Sequence, residues 1–442
     1  ALPIYFSLEA DNRMKKSSIF KGSFLIVAIL SFLTFSWRNR SPFPPYRFLT
    51  QNRSSQLSDS IQVLEKQINQ NTPDPFQLAS LASLKLAQAQ STGQKNDYDL
   101  AENLARRSLT ILPNPNFQSL LVLARIAEAN HDFNKAIDLS KKTLGTSHKK
   151  EAISILVTSY LAKGELTEAS HWADTLVLER PSVDTYSLRA LVLNAQGRES
   201  EAEYDFLRAL KVEDIDENIS SAWARAQLAK FYIKKGKLYW AEELLKECSK
   251  IIPKYPLAIS LQGELESARG HFSKAAEKFL EAFTLTRQVN YLRLYALAQE
   301  KNGQEEIARE SRNEAELLMR KELSQGNLGH RMDLALILLD SNQLSKAPEA
   351  IQLMEAEVKF RKSSQVFYTL AKSYRLAQHW RQAQEAIQAS LRTGIRDEHL
   401  YLEAAMIEEK LGNLSKKHFF ENLAQQVNAN RSKSLFPSLL NS

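Results

Sequence analysis

The sequence predicts an all-α solenoid of about ten antiparallel helix-turn-helix repeats, preceded by one N-terminal hydrophobic helix. Three observations carry this. Alanine recurs at Ala101, Ala136, Ala169, Ala202, Ala241, Ala275, Ala308, Ala347 and Ala383, and Lys417 closes the series, at intervals of 33 to 39 residues. Twelve residues before each stands a second column of small side chains: Ala89, Ala124, Val157, Ala190, Ala229, Gly263, Ala296, Ala335, Ala371 and Ala405. Gly164, Gly197, Gly236, Gly270, Gly303 and Gly412 fall between the two columns, where a turn is needed. Antiparallel helices about 8–10 Å apart need small side chains where they cross. A bulkier residue there overpacks, at a cost of about 1–3 kcal/mol.

Residues 1–18 form a short basic tail. Met14-Lys15-Lys16 reads as a start, which would make residues 1–13 a leader. Residues 19–37 are expected to be a hydrophobic signal-anchor or transmembrane helix. Within them, 22–37 hold no charge; a helix of that length spans roughly 24 Å against a hydrocarbon core of about 30 Å. A cleaved secretory signal would share the basic start and apolar run. The nearest small-x-small site, Thr34-Phe35-Ser36, is a poor one, with Trp37 and Arg38 after it. Four basic residues precede the run and four follow it by Arg53, so the positive-inside rule does not orient it. The expected arrangement is the common bacterial one, with a short tail inside and the large domain extracytoplasmic.

Residues 38–75 read as a proline-containing linker and a short helix. Ser41-Pro42-Phe43-Pro44-Pro45-Tyr46 is too proline-rich to be helical throughout and is expected to space the body from the membrane. Ile61, Leu64 and Ile68 mark one face of the short helix, and Asn71-Thr72-Pro73-Asp74-Pro75 punctuates the chain before the repeats. The array is placed at 76–427 and a C-terminal tail at 428–442. Its clearest unit is 228–253, where Leu228 and Tyr232 add bulk around Ala229, Gly236 makes the turn, and Pro253 closes the hairpin. The two 39-residue intervals carry insertions, one an acidic loop at 213–217, the other a lengthened helix around 314–321.

These columns and turn glycines resemble the tetratricopeptide (TPR) family, whose repeat is 34 residues. The likeness covers about ten hairpins, with Lys417 suiting a polar capping repeat. It implies a right-handed superhelix whose first helices line a concave groove for a protein or peptide partner. On that register the groove residues would include Arg125, Glu128, Trp223, Lys230, Glu264, Arg293, Tyr368, Lys372 and Arg375. Trp223 stands out as an aromatic on a face that the hairpin contact does not need, which suits a binding anchor. Tyr368, Lys372 and Arg375 share one helix face and could hold a carboxylate. The Lys–Asn pair with which chaperone-binding TPR domains clamp a terminal carboxylate is missing: the equivalent positions hold Leu121 and Arg125, Ser154 and Thr158, or Ala226 and Lys230.

Charge and chemistry narrow the function. The net charge is +7, but residues 1–53 carry eight basic and two acidic side chains, leaving +1 on the remaining 389. A phosphate-binding surface needs concentrated positive charge, so nucleic acid is not an expected partner, and an RNA-binding pentatricopeptide array is disfavoured. The eight histidines are scattered, with no HExxH and no Gly-rich phosphate loop; His131, His271 and His379 fall at or beside hairpin turns. Cys248, the single cysteine, sits in a small-residue core column. No catalytic residues, cofactor, metal or small-molecule substrate are expected, and the chain is not read as an enzyme. The function expected is a membrane-anchored scaffold or adaptor for assembly of a bacterial envelope complex. The alternative is a soluble secreted or periplasmic adaptor after signal cleavage; a non-catalytic enzyme subunit or an RNA-binding helical repeat ranks below both.

Overall fold

The computed structural model describes residues 41–48 and 53–427, apart from 71, 73, 113–115, 216 and 327. The expected hydrophobic helix at 19–37 and both tails therefore lie outside the described residues. Among the described residues, no helix is long and apolar enough to cross a membrane. The chain divides into two units, Ala1–Pro44 and Pro45–Ser442. In the first, the Ser41 hydroxyl donates to the Phe43 carbonyl at 2.8 Å.

The second unit is helical, and no strand occurs among its described residues. Helix α1 (Arg53–Gln70) precedes ten hairpins. They pair α2 (Pro75–Thr92) with α3 (Lys95–Ile111), α4 (Phe117–Ala129) with α5 (Phe133–Lys141), and α6 (Lys149–Lys163) with α7 (Leu166–Glu179). Next come α8 (Val183–Ala195) with α9 (Glu199–Lys211), α10 (Asn218–Lys234) with α11 (Leu238–Ile251), and α12 (Pro256–Ala268) with α13 (Phe272–Thr286). The last four are α14 (Val289–Lys301) with α15 (Glu305–Ser324), α16 (Arg331–Asp340) with α17 (Ala347–Val358), α18 (Ser364–Leu376) with α19 (Trp380–Leu391), and α20 (Glu398–Lys410) with α21 (Leu414–Val427).

Local chemistry sets the helix ends. Ser182 and Thr185 form a reciprocal capping box on α8, and Asp132 accepts from the Lys135 amide to start α5. Every hairpin turns through one residue in the left-handed region. Seven are glycines, with φ between 68° and 80°; His131, Asn342 and Gln378 fill the same position where glycine is missing, at 58°, 50° and 60°. Those three side chains carry a steric cost of about 1–2 kcal/mol that glycine avoids.

Both small-residue columns are buried: the nine alanines of the second helices are at most 1% exposed, and those of the first helices at most 3%. At Gly263 the reason is visible, since an added Cβ would come 2.7 Å from the Phe279 ring. Helix α1 closes the N-terminal end, placing Ile61 and Ile68 against Leu78 and Leu81 of α2. The first helices of consecutive hairpins also pack on one another, as in α2 with α4, α4 with α6 and α16 with α18, so they form the inner wall.

Tyr46, at the end of the proline-rich stretch, rests on the array. Its hydroxyl donates to Asn218 and its ring lies 5.3 Å from the Arg225 guanidinium. The acidic insertion is likewise drawn inward: Glu213 is buried and pairs with the fully buried Arg225, which also bonds Glu247 at 2.6 Å. Burying these charges is tolerable because each is paired.

Six hairpins complete one circuit, and successive circuits touch. The internal turn of hairpin one meets the end of α13 and the loop leading to hairpin seven, with Gly93 against Thr286 and Gln288. Asn130 and His131 meet Gly329, Gly164 meets Lys362 and Ser363, and Gly197 meets Gly394. The Lys362 amide donates to the Lys163 carbonyl at 2.7 Å. Ion pairs Lys95–Glu322 at 2.7 Å and Lys234–Asp397 at 2.9 Å flank this seam.

Candidate protein-binding channel

With its circuits in contact, the array borders a half-open channel of about 1510 Å³ lined by both circuits, from Gly93 to Val427. The lining mixes apolar side chains with five lysines and four arginines against three aspartates and six glutamates. Positive and negative groups are thus equal in number along it.

Six of the residues expected in the groove line this channel: Glu128, Lys230, Glu264, Arg293, Tyr368 and Lys372. Three do not. Arg125 is paired with Glu128 at 2.8 Å, while Glu128 also accepts from the Thr158 hydroxyl. Arg375 is held by the buried Glu403 of α20. Trp223 packs against the core containing Val157, Ala173 and Leu188. Partly buried there against the preceding hairpins, Trp223 is not among the residues that line the channel.

On the far wall, Arg293 from α14 forms an ion pair with Asp340 at the end of α16, 2.6 Å at its nearest, and donates one hydrogen bond to it from Nη2 at 3.2 Å. One helix further on, the Lys372 ammonium lies 5.8 Å from the Tyr368 ring centroid. Both line the channel but are partly buried, and the protein surrounding them costs the charged forms hydration. Burial therefore lowers the Lys372 ammonium below its ordinary value, against the pull of Asp340 and Glu403. Burial likewise raises Tyr368 well above the usual phenol range.

Near the seam, Asp397 accepts from the His399 and Leu400 amides, at 3.0 and 3.3 Å, as the cap of α20. Burial works to raise its carboxyl, but Lys234, His399 and the Leu400 amide outweigh that and hold it well below the ordinary range. Asp397 in turn raises Lys234. These groups, with Asp340, escaped sequence reasoning because their partners are 47 to 163 residues away and carry no local pattern. Cys248 is fully buried, with its Sγ 3.3 Å from the Ala222 carbonyl, and burial pushes the thiol up to about 12. A thiol so protonated is a poor nucleophile.

No family model and no curated protein matches the chain. Two solved structures are similar over most of its length. The human IFIT1 dimer with PPP-AAAA shares 16% identity, over 84% of this chain and 94% of that one, with a TM-score of 0.47. Yeast Tom70 shares 12%, over 85% and 89%, with a TM-score of 0.41. Likenesses at this level carry no functional argument. The hairpins, their buried small-residue columns and their stacked first helices give the chain a TPR-like helical-repeat fold.

Proposed function

We propose that the protein is a non-catalytic scaffold whose channel holds a segment of a protein partner, anchored by residues 19–37 with its repeats on the extracytoplasmic side of a bacterial membrane. The observation that carries the binding reading is the channel itself: about 1510 Å³, with equal numbers of cationic and anionic side chains. Small-molecule pockets run to about 300–1,000 Å³, so the volume favours a peptide segment. Nucleic acid would have to be held by an excess of cations that displaces counterions, and the lining has none. A polypeptide of mixed sequence can use both signs, together with apolar stretches such as Leu161, Ile233 and Leu336.

The test is a photocrosslinking residue in place of Lys230 or Tyr368 in native membranes, with mass spectrometry of the adducts. Protein adducts that diminish when Lys372→Ala and Arg293→Ala are added support the proposal. Adducts to RNA, or none at channel positions while outer-face positions crosslink, overturn it. N-terminal sequencing of the mature protein separates the anchor from the soluble alternative: a start near Trp37 removes the anchor.

A further inference from the structure

Three side chains converge on the seam where the second and eighth hairpins meet. His131 is the left-handed residue at the tip of α4 and α5. His330 ends the short 3-10 turn Leu328–His330 that leads into α16, and Asp333 lies in the first turn of α16. His330 Nδ1 is 3.0 Å and His131 Nε2 4.0 Å from the same Asp333 oxygen, and one donor atom from each residue lies within 4.8 Å of the others. The imidazoles stand edge to face, 5.0 Å between centroids and 87° between planes. All three residues line the channel.

We propose that His131, His330 and Asp333 form a site for a divalent transition-metal ion, with Zn²⁺ the best match, which fastens one circuit of the solenoid to the next. Tetrahedral zinc has bonds to nitrogen and oxygen of about 2.0–2.2 Å, which sets its donor atoms roughly 3.3–3.6 Å apart. The two spacings to the Asp333 oxygen, 3.0 and 4.0 Å, bracket that range and the third pair lies within 4.8 Å, so side-chain rotations that draw the imidazoles together bring the donors into place. The backbones are already fixed, because Gly329 rests on Asn130 and His131 so closely that a Cβ would come 2.5 Å from the His131 Cβ. Two imidazoles and one carboxylate suit zinc, cobalt or nickel rather than calcium or magnesium, which want more oxygen donors. The neighbouring cation is accounted for: Arg361 is paired with the buried Glu357 and lies over Phe133 at 5.5 Å. Three protein donors leave a fourth position open toward the channel, for water or for a carboxylate of whatever enters.

The inference stands apart from the reading of the channel as a protein-binding site. Its test uses full-length, tag-free protein in detergent, dialysed against Zn²⁺ or Co²⁺ and analysed for bound metal and melting temperature. The expected result is one equivalent of metal, a raised melting temperature, and a Co²⁺ visible spectrum of a tetrahedral site. His330→Ala and Asp333→Asn should each weaken binding at least tenfold and abolish the shift. His131→Gly should do the same while keeping the left-handed turn, so that lost binding there, with unchanged circular dichroism, is not lost fold. Absence of stoichiometric metal in the wild type, or equal binding by all three variants, overturns the proposal.

Discussion

The amide of Lys362 donates to the carbonyl of Lys163 at 2.7 Å, although 199 residues separate them along the chain. That bond lies in the seam where one circuit of the solenoid rests on the next. Gly164 beside it has no room for a side chain, since a Cβ would come 2.5 Å from the Lys362 carbonyl oxygen.

The seam makes glycine replacements unequal. Gly197 and Gly412 have nearly the same φ, 76° and 78°, but a Cβ on Gly197 would strike the Gly394 carbonyl, whereas nothing lies within 4 Å of one on Gly412. Gly412→Ala should cost about 1 kcal/mol, the left-handed penalty alone. Gly197→Ala should cost about 1–3 kcal/mol more from overpacking, with a larger radius of gyration in solution scattering. Equal losses in denaturant titrations would show that the seam does not persist in solution.

Inside a hairpin, Gly263→Ala should destabilise by about 1–3 kcal/mol, because its methyl meets the Phe279 ring at 2.7 Å. Adding Phe279→Leu should recover part of that loss, so the double variant is more stable than the two single effects summed. Strict additivity would mean that the two positions do not share a contact.

Asp397 makes the seam sensitive to acid. Its folded carboxyl is held below its unfolded value, so it stabilises fully above the unfolded pKa, about 4, and this contribution fades as pH falls toward the folded value. Between pH 7 and 5 the wild type and Asp397→Asn should show parallel stability curves. Below about pH 4 the wild type should lose stability more steeply. Asparagine preserves the cap, which leaves the charge interactions with Lys234 and His399 as the difference. Urea titrations across pH decide the point, and parallel curves throughout would count against it.

Arg225 is wholly buried between Glu213 and Glu247. Arg225→Ala should cost about 3–5 kcal/mol by stranding buried carboxylate. Salt should barely change that loss, because buried pairs are poorly screened. Removing Arg320 from its exposed pairs with Glu316 and Glu349 should cost about 1 kcal/mol or less. A large salt dependence at Arg225 in guanidine-free unfolding would place that side chain in solvent.

The hairpins were legible because their causes are local. Ala229 and Ala241 are small for one reason, the crossing of two helices twelve residues apart in sequence, and both are fully buried. The turns lacking glycine at His131, Asn342 and Gln378 fitted the period without revealing that these residues take the left-handed backbone. Trp223 was misplaced because a single hairpin does not show which face its neighbours will use. The pairing of Lys234 with Asp397, and the meeting of His131 with His330 and Asp333, depend on how many hairpins fill a circuit. That number follows from small rotations accumulated over six repeats, and no residue encodes it alone.

The seam changes how such a chain comes apart. An array with contacts only between neighbours frays from its ends, one unit at a time. Here the internal turn of hairpin one touches the approach to hairpin seven, so the first circuit closes only after six units are in place. Loop-closure entropy opposes such distant contacts until then, which makes the seam the last structure to form and delays folding. Once closed, it ties the early hairpins to the late ones, and the two circuits unfold together as a single cooperative body.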